Sequence, residues 1–237
     1  MIIDFNAHAG AWPEQHISVD KDRLLHLMDE SGIDMAVVSN IGEAMGGGSG
    51  TDLKHERLIP FHTVRPDTDI KSLNGHVKGV RVYPTYHAWG FSGSRWANLL
   101  ERAEGEGWIV QVYLRLRDPR ALLQQVALAD VMQSLSDAIE SSCYVRLVIT
   151  GMNFFEAESY LPLLRRKNVW FEISHLQHPM APLDKLARKI GSSRMLFGTN
   201  TPFFYPFVTT FRTMHSGLSQ EEMNRILSGN ALSLLDM

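Results

Sequence analysis

Cysteine is almost missing from this chain. Its 237 residues include one, Cys143. No internal disulfide can form, which suits a reducing compartment and leads us to expect a cytoplasmic protein. Long apolar runs are missing as well. No stretch approaches the about 18 residues that span a bilayer, so no membrane attachment is expected. Neither sign of charge is in excess: Lys and Arg number 23 against 26 Asp and Glu, a formal charge of −3. That balance offers no electrostatic footprint for nucleic acid or an anionic surface. Met1-Ile2-Ile3-Asp4 has no basic n-region or cleavage site, so no secretory leader is expected. No G-x-G-x-x-G follows the first apolar run, which argues against a dinucleotide fold. Ser49, in Gly48-Ser49-Gly50, is not a nucleophile elbow. The glycine-rich stretch from Gly42 to Thr51 lacks the Lys-Ser/Thr of a phosphate-binding loop. A mobile cover over a pocket and plain surface flexibility both explain those glycines.

No linker and no tandem repeat divides the chain, so residues 1–237 read as one domain. What recurs is a short apolar run followed by an amphipathic stretch. Eight runs rich in β-branched and aromatic residues predict strands at Ile2–Asn6, Met35–Asn40, Leu58–Val64, Gly79–Tyr83, Ile109–Arg115, Val145–Thr150, Val169–Ser174 and Arg194–Thr199. Helical spacing predicts helices over Asp20–Ser31, Ser94–Glu106, Pro119–Ser141, Phe154–Arg166, Pro182–Ile190 and Tyr205–His215. Only Asp67–Leu73 is available for a helix between the third and fourth strands. Ser219-Gln220-Glu221-Glu222 reads as a capping box that opens a terminal helix. Strands alternating with helices predict a parallel α/β sheet. The length fits a (β/α)₈ TIM barrel, somewhat distorted, with an extra C-terminal helix. Working residues in such a barrel lie at the C-terminal ends of the strands. Cys143, just before strand six, falls on the opposite, stabilising face, so a nucleophile role is not expected.

The strand ends carry chemistry-bearing residues. Alternation puts Asn6 and His8 on one face of strand one. Strand three ends near His62. Strand four offers Arg81 and Tyr83, then His87 in the following loop. Strand five carries Gln111, Tyr113 and Arg115 in one register. Strand seven carries Glu172, Ser174 and His175, and strand eight runs into Asn200. Trp89 to Trp96 and Phe203-Phe204-Tyr205-Pro206-Phe207 are aromatic enough to wall a pocket, pack on neighbours or meet a second subunit.

Three segments resemble the amidohydrolase superfamily in its amidohydrolase-related branch. They are Met1-Ile2-Ile3-Asp4-Phe5-Asn6-Ala7-His8, Lys78-Gly79-Val80-Arg81-Val82-Tyr83-Pro84, and Leu196-Phe197-Gly198-Thr199-Asn200-Thr201-Pro202. The resemblance covers nearly the whole chain. It implies a distorted (β/α)₈ barrel hosting metal-assisted hydrolysis, or decarboxylation, of small molecules. The departures are as informative as the matches. Family members begin with His-x-His, where this chain has Asn6 and His8. Tyr113 and Gly151 stand near the places of the histidines that end strands five and six. Asn200 replaces the aspartate of strand eight, which in the family binds metal and serves as base. A catalytic zinc takes three protein ligands from His, Cys or carboxylate. Amide oxygens are poor transition-metal ligands, and Asn200 cannot take a proton from water.

Three readings follow. The first is a hydrolase for an ester, lactone or related small carboxylate substrate that works without the family's metal, as pyrone dicarboxylate lactonases of this branch do. His8 would be the base, and Tyr113 or Arg81 would stabilise the oxyanion. Asn6, His62, Tyr83, His87, Arg115, His175 and Asn200 would bind the substrate, although an ion pair with Asp4 or Glu172 explains Arg115 as well. The second is a non-catalytic small-molecule-binding pseudoenzyme on a retained barrel. The third is a relocated metal site in which His62, His87, His175, His178 or Glu172 joins His8. No metal or cofactor is expected under the first reading, and zinc or another divalent ion under the third. The oligomeric state stays open.

Overall fold

A computed structural model describes the chain except residues 47, 49–50, 74–76, 92, 118–123 and 141–143. Cys143, Ser49, Gly47 and Gly50 lie outside the described residues, as do both ends of the helix expected over Pro119–Ser141.

Ten strands are described. They are β1 (Ile3–Trp12), β2 (Ile17–Val19), β3 (Met35–Asn40), β4 (Leu58–Pro60), β5 (His62–Val64), β6 (Gly79–Val82), β7 (Ile109–Tyr113), β8 (Arg146–Thr150), β9 (Val169–Glu172) and β10 (Met195–Leu196). Every pairing is parallel except β1 with β2, a short antiparallel extension in which Gly10 faces Val19. One sheet runs β2-β1-β3-β4 and the other β10-β9-β8-β7-β6-β5. Backbone bonds join them into a ring. On one side Phe5 N–H donates to Phe197 O and His8 N–H to Thr201 O, each at 2.8 Å. On the other side β4 passes into β5 through Phe61, whose N–H donates to Val38 O at 2.8 Å. The predicted third strand is therefore two pieces. Pro60 has no amide hydrogen to give a ladder, and the break falls beside it. The distorted (β/α)₈ barrel is the architecture present.

The helices follow the predicted order: α1 (Lys21–Glu30), α2 (Ile41–Met45), α3 (Ser94–Glu106), α4 (Leu128–Glu140), α5 (Phe154–Ser159), α6 (Leu161–Leu164), α7 (Pro182–Ile190), α8 (Pro206–Met214), α9 (Gln220–Asn224) and α10 (Asn230–Leu235). Asp20 caps α1 by accepting from Arg23 N. Phe154–Arg166 is two short helices rather than one, with Pro162 in the first turn of the second. Between β5 and β6 the described residues form a 3₁₀ turn, Ile70–Ser72. The predicted capping box at Ser219 and Glu222 is present. A π-helical turn, Arg225–Gly229, links α9 to α10.

Two apolar layers position the site. The outer layer fills the space between strands and helices, with Val80, Val82, Val110, Val112, Leu147 and Ile149 facing Trp96, Leu99, Leu135 and Leu186. The inner one plugs the bottom of the barrel: Ile3, Phe5, Val37, Phe61, Ile109, Val148 and Leu196 meet Ala231, Leu234 and Leu235 of α10. The terminal helix closes the N-terminal end of the barrel and leaves the C-terminal end for polar side chains. Within the Trp89–Trp96 segment, Trp89 and Arg95 line an open cleft beside α3. Trp89, Phe91 and Trp96 are buried against one another, with ring centroids 6.1 and 4.1 Å from Trp96.

Candidate active site

A β-bulge between Asp4 and Ala7 shifts the register of β1 against β3. It delivers Asn6 and His8 to the barrel axis, both with no exposed surface. Tyr83 follows β6 and Tyr113 ends β7, and their rings stack at 5.2 Å between centroids. Asn200 arrives from the segment after β10 in a left-handed conformation, φ +59°, which Asn tolerates better than most residues. In that pose Asn200 Nδ2 donates to Leu116 O at 2.8 Å, and Oδ1 accepts from Tyr113 at 2.6 Å. Tyr113 also donates to Asn6 Oδ1. One phenolic proton thus serves two amide oxygens. Burial holds the Tyr113 hydroxyl well above its ordinary value, so it is a neutral donor.

Asn6 Nδ2 points the other way. It donates to Glu172 Oε2 at 2.7 Å and to Ser174 Oγ at 3.2 Å. Glu172 also accepts from Ser174 N at 2.6 Å and from Ser174 Oγ at 2.9 Å. Burial raises this carboxyl to about 7, with Asp4 adding to the rise and the Ser174 and Asn6 bonds opposing it. Gly198 is required here, because a Cβ on it would overlap the Glu172 carboxyl. Ser174 Oγ continues to His175 Nδ1 at 3.0 Å.

His8 Nε2 is 3.0 Å from the Tyr83 hydroxyl, which also contacts Ser39 Oγ at 3.2 Å. Burial holds His8 well below the usual imidazole range, helped by the Arg81 charge and opposed by the Thr201 carbonyl. The ring is therefore neutral. Nδ1 has no partner within hydrogen-bond distance. An aromatic cover lies above: Phe203 is 5.6 Å from the His8 ring and 6.2 Å from Trp12, and Phe204 is 4.9 Å from His175. Past Phe204 the aromatic run turns outward, with Tyr205 and Phe207 exposed.

Of the residues anticipated from sequence, the fold brings together Asn6, His8, Tyr83, Tyr113, His175 and Asn200. Four do not join them as expected. Arg81 is buried under the cluster and fully engaged: it donates to Ala7 O (2.6 Å), Phe5 O (3.2 Å), Val37 O (2.9 Å), Ser39 Oγ (2.9 Å) and Gln111 Oε1 (2.7 Å). Its donors clamp the backbones of β1 and β3, so none is left for an oxyanion. Arg115 makes a two-pronged pair with Glu156 at 3.0 and 2.6 Å, rather than with Asp4 or Glu172. His87 bonds Ala44 O at 2.8 Å. His62 is exposed. Ser39 was not anticipated, and Ser174 and Glu172, both placed on strand seven, were not given the parts they play here. A lone carboxylate inside Val169-Trp170-Phe171-Glu172-Ile173 was the only available signal, and a serine at a strand end carries none.

These residues do not fit the divalent metal of the family. The Asn6 and Asn200 oxygens both accept from a neutral phenol, the Asn6 amide nitrogen faces Glu172, and a guanidinium lies beneath. A catalytic zinc takes three protein ligands from imidazole, thiolate or carboxylate, converging on one point. No three His, Cys, Asp or Glu side chains gather in that way among the described residues. His62 and His178 are both exposed, so the groups offered for a rebuilt site do not converge either. An open cleft of about 710 Å³ lies to one side, between α3 and the segment after β5, lined by Arg65, Asp69, Arg95 and Arg102. None of the clustered residues lines it.

The sequence profile of the family described as amidohydrolase matches residues 54–237. The chain belongs to the amidohydrolase family. No curated protein matches it. Among solved structures, a 2,6-dihydroxybenzoate decarboxylase from Rhizobium is 13% identical with a TM-score of 0.72, covering 99% of this chain and 98% of its own. A dihydroxybenzoic acid decarboxylase from Polaromonas, with bound manganese and the inhibitor 2-nitroresorcinol, is 14% identical with a TM-score of 0.72, covering 99% and 96%. A candidate 2-pyrone-4,6-dicarboxylic acid hydrolase from Pseudomonas putida is 18% identical with a TM-score of 0.65, covering 99% and 97%. At these identities the likeness establishes the fold, a TIM-barrel amidohydrolase fold over essentially the full length. Among the described residues no helix is long and apolar enough to cross a membrane.

Proposed function

We propose that this amidohydrolase-family barrel hydrolyses an activated carbonyl bond, an ester or lactone of a small molecule, without its relatives' metal centre. The observation that carries the reading is the convergence of a neutral imidazole, His8, and a neutral phenol, Tyr113. Their rings lie 5.0 Å apart at the C-terminal end of the barrel. Tyr83 holds His8 Nε2, and Nδ1, buried without a hydrogen-bond partner, is the ring nitrogen that would meet a water or a substrate once the aromatic cover parts; it can take a proton when Nε2–H donates to the Tyr83 oxygen. His8 would take the proton of the attacking water. Tyr113, turning its hydroxyl from the amide oxygens to the substrate, would stabilise the oxyanion. Esters and lactones need less electrophilic help than amides, which suits a site with neutral donors. The aromatic cover of Phe203, Phe204 and Trp12 suits a planar, partly apolar substrate.

A second reading is a binding protein that has lost catalysis. It is favoured by the way Asn6, Tyr113, Glu172, Ser174 and Asn200 bond to one another rather than facing an open space. Hydrolysis of dihydrocoumarin and 4-nitrophenyl acetate, with and without a chelator, separates the two. Chelator-resistant turnover that falls at least tenfold in His8→Ala is expected. Turnover equal in wild type and His8→Ala would remove the catalytic assignment, and no turnover of either probe would leave the binding reading.

A further inference from the structure

Glu172, Ser174 and His175 form a line of contacts that the His8 chemistry does not use. Ser174 Oγ is 2.9 Å from Glu172 Oε2 and 3.0 Å from His175 Nδ1. The hydroxyl has one proton. An ionised carboxylate only accepts, so that proton goes to Glu172 and the serine oxygen accepts from His175 Nδ1–H. The lone pair of the imidazole then sits on Nε2. That atom is buried without a hydrogen-bond partner, on a residue 7% exposed whose ring lies under Phe204. Burial, with the nearby Arg115 and Arg212 charges, lowers the ring to about 3, so it stays neutral and its lone pair stays available.

We propose that Glu172 and Ser174 are positioning residues that fix His175 as a hydrogen-bond acceptor, and that its Nε2 receives a hydroxyl or amide N–H of the bound small molecule. This rests on the reading of the barrel mouth as the working site. It deepens that reading by naming the ligand chemistry at one point: a donor group is accepted, and a carboxylate oxygen facing a lone pair is rejected. The relay answers to the state of Glu172. The charged and titratable groups facing that carboxyl are Asp4 from β1, Tyr113 from β7, Arg212 from α8 and His175 itself. Once protonated, Glu172 donates to Ser174, the serine hydroxyl turns to His175 Nδ1, and the ring proton exchanges to Nε2.

Nitrogen NMR of the full chain labelled at histidine tests this, with His175 assigned from the signals lost in His175→Gln. At pH 8 the expected pattern is an N–H signal at Nδ1 and a lone-pair signal at Nε2. The pattern should reverse in wild type as pH falls through the titration of Glu172. Ser174→Ala should reverse it at pH 8 and Ser174→Thr should retain it, with unchanged His8 signals reporting an intact fold. Phenol should move the Nε2 signal and benzoate should not. A wild-type ring already protonated on Nε2 at pH 8, or one indifferent to pH, overturns the relay. An Nε2 signal that benzoate moves, or that neither probe moves, overturns the ligand assignment. None of these readouts needs turnover, so a failure of the hydrolase reading registers separately.

Discussion

Glu172→Gln isolates the energetic consequence of a buried carboxyl. In the folded chain Glu172 titrates at about 7, and in the unfolded chain near its ordinary 4.5. Its folded value is raised, so the folded state binds more protons across that window. Stability is therefore highest below about pH 4.5 and is lost as pH rises to about 7. At about 1.4 kcal/mol per unit, the 2.5-unit difference costs about 3 kcal/mol at pH 8 and about 1 kcal/mol at pH 5. Glutamine does not titrate. It keeps one oxygen for Ser174 N, but turns an NH₂ towards the Asn6 amide, which costs about 1–3 kcal/mol at every pH. The absolute change at one pH mixes these effects. The difference between wild type and variant, compared at two pH values, does not. Urea denaturation should show the variant gaining about 2 to 3 kcal/mol on wild type between pH 5 and pH 8. A difference independent of pH would mean that Glu172 is not held protonated. A shift towards wild type would mean that its charge is stabilised.

Arg81→Leu should cost about 3–5 kcal/mol, because it removes five buried hydrogen bonds in one change, those to the Ala7, Phe5 and Val37 carbonyls, Ser39 Oγ and Gln111 Oε1, although Phe5 O keeps Gln111 and Ser39 keeps Tyr83; a urea midpoint near that of wild type would refute the clamp. Acid should destabilise the chain below about pH 6.5, because His8 and His175 resist protonation when folded and accept it when unfolded. Glu172 acts in the opposite sense, so these three groups together leave a slope that steepens from near zero at about pH 6.5 to about one proton at about pH 5, roughly 1 kcal/mol per pH unit on average. Midpoints that stay level or rise over that interval would contradict it.

The mouth of the barrel was half legible beforehand. Asn6, His8, Tyr83, Tyr113 and Asn200 could be placed because each ends a run whose alternation is visible locally. Arg81 lay in the right register, but its partners could not be read. They are backbone carbonyls of other strands, and a carbonyl looks the same under any side chain. Arg115 showed its charge and not its partner, Glu156, which also caps α5 through Asn153. His62 was misplaced because Pro60 breaks the third strand, and alternation cannot be carried across a break. Trp89, Phe91 and Trp96 gave an aromatic signal that packing against each other satisfies as well as a pocket would.

The sequence by itself determined the alternation of strands and helices, the face on which the polar residues gather, and the family. These depend on side-chain type and on spacings of a few residues, which any segment displays on its own. Tertiary structure alone decided which polar groups bond to which. The Asn6–Glu172 bond joins residues 166 apart in the chain, and the Tyr113–Asn200 bond joins residues 87 apart. Such pairings exist only once the ring of strands has closed. Burial follows from the same closure, and it is burial that makes His8 neutral and carries the Glu172 carboxyl to about 7.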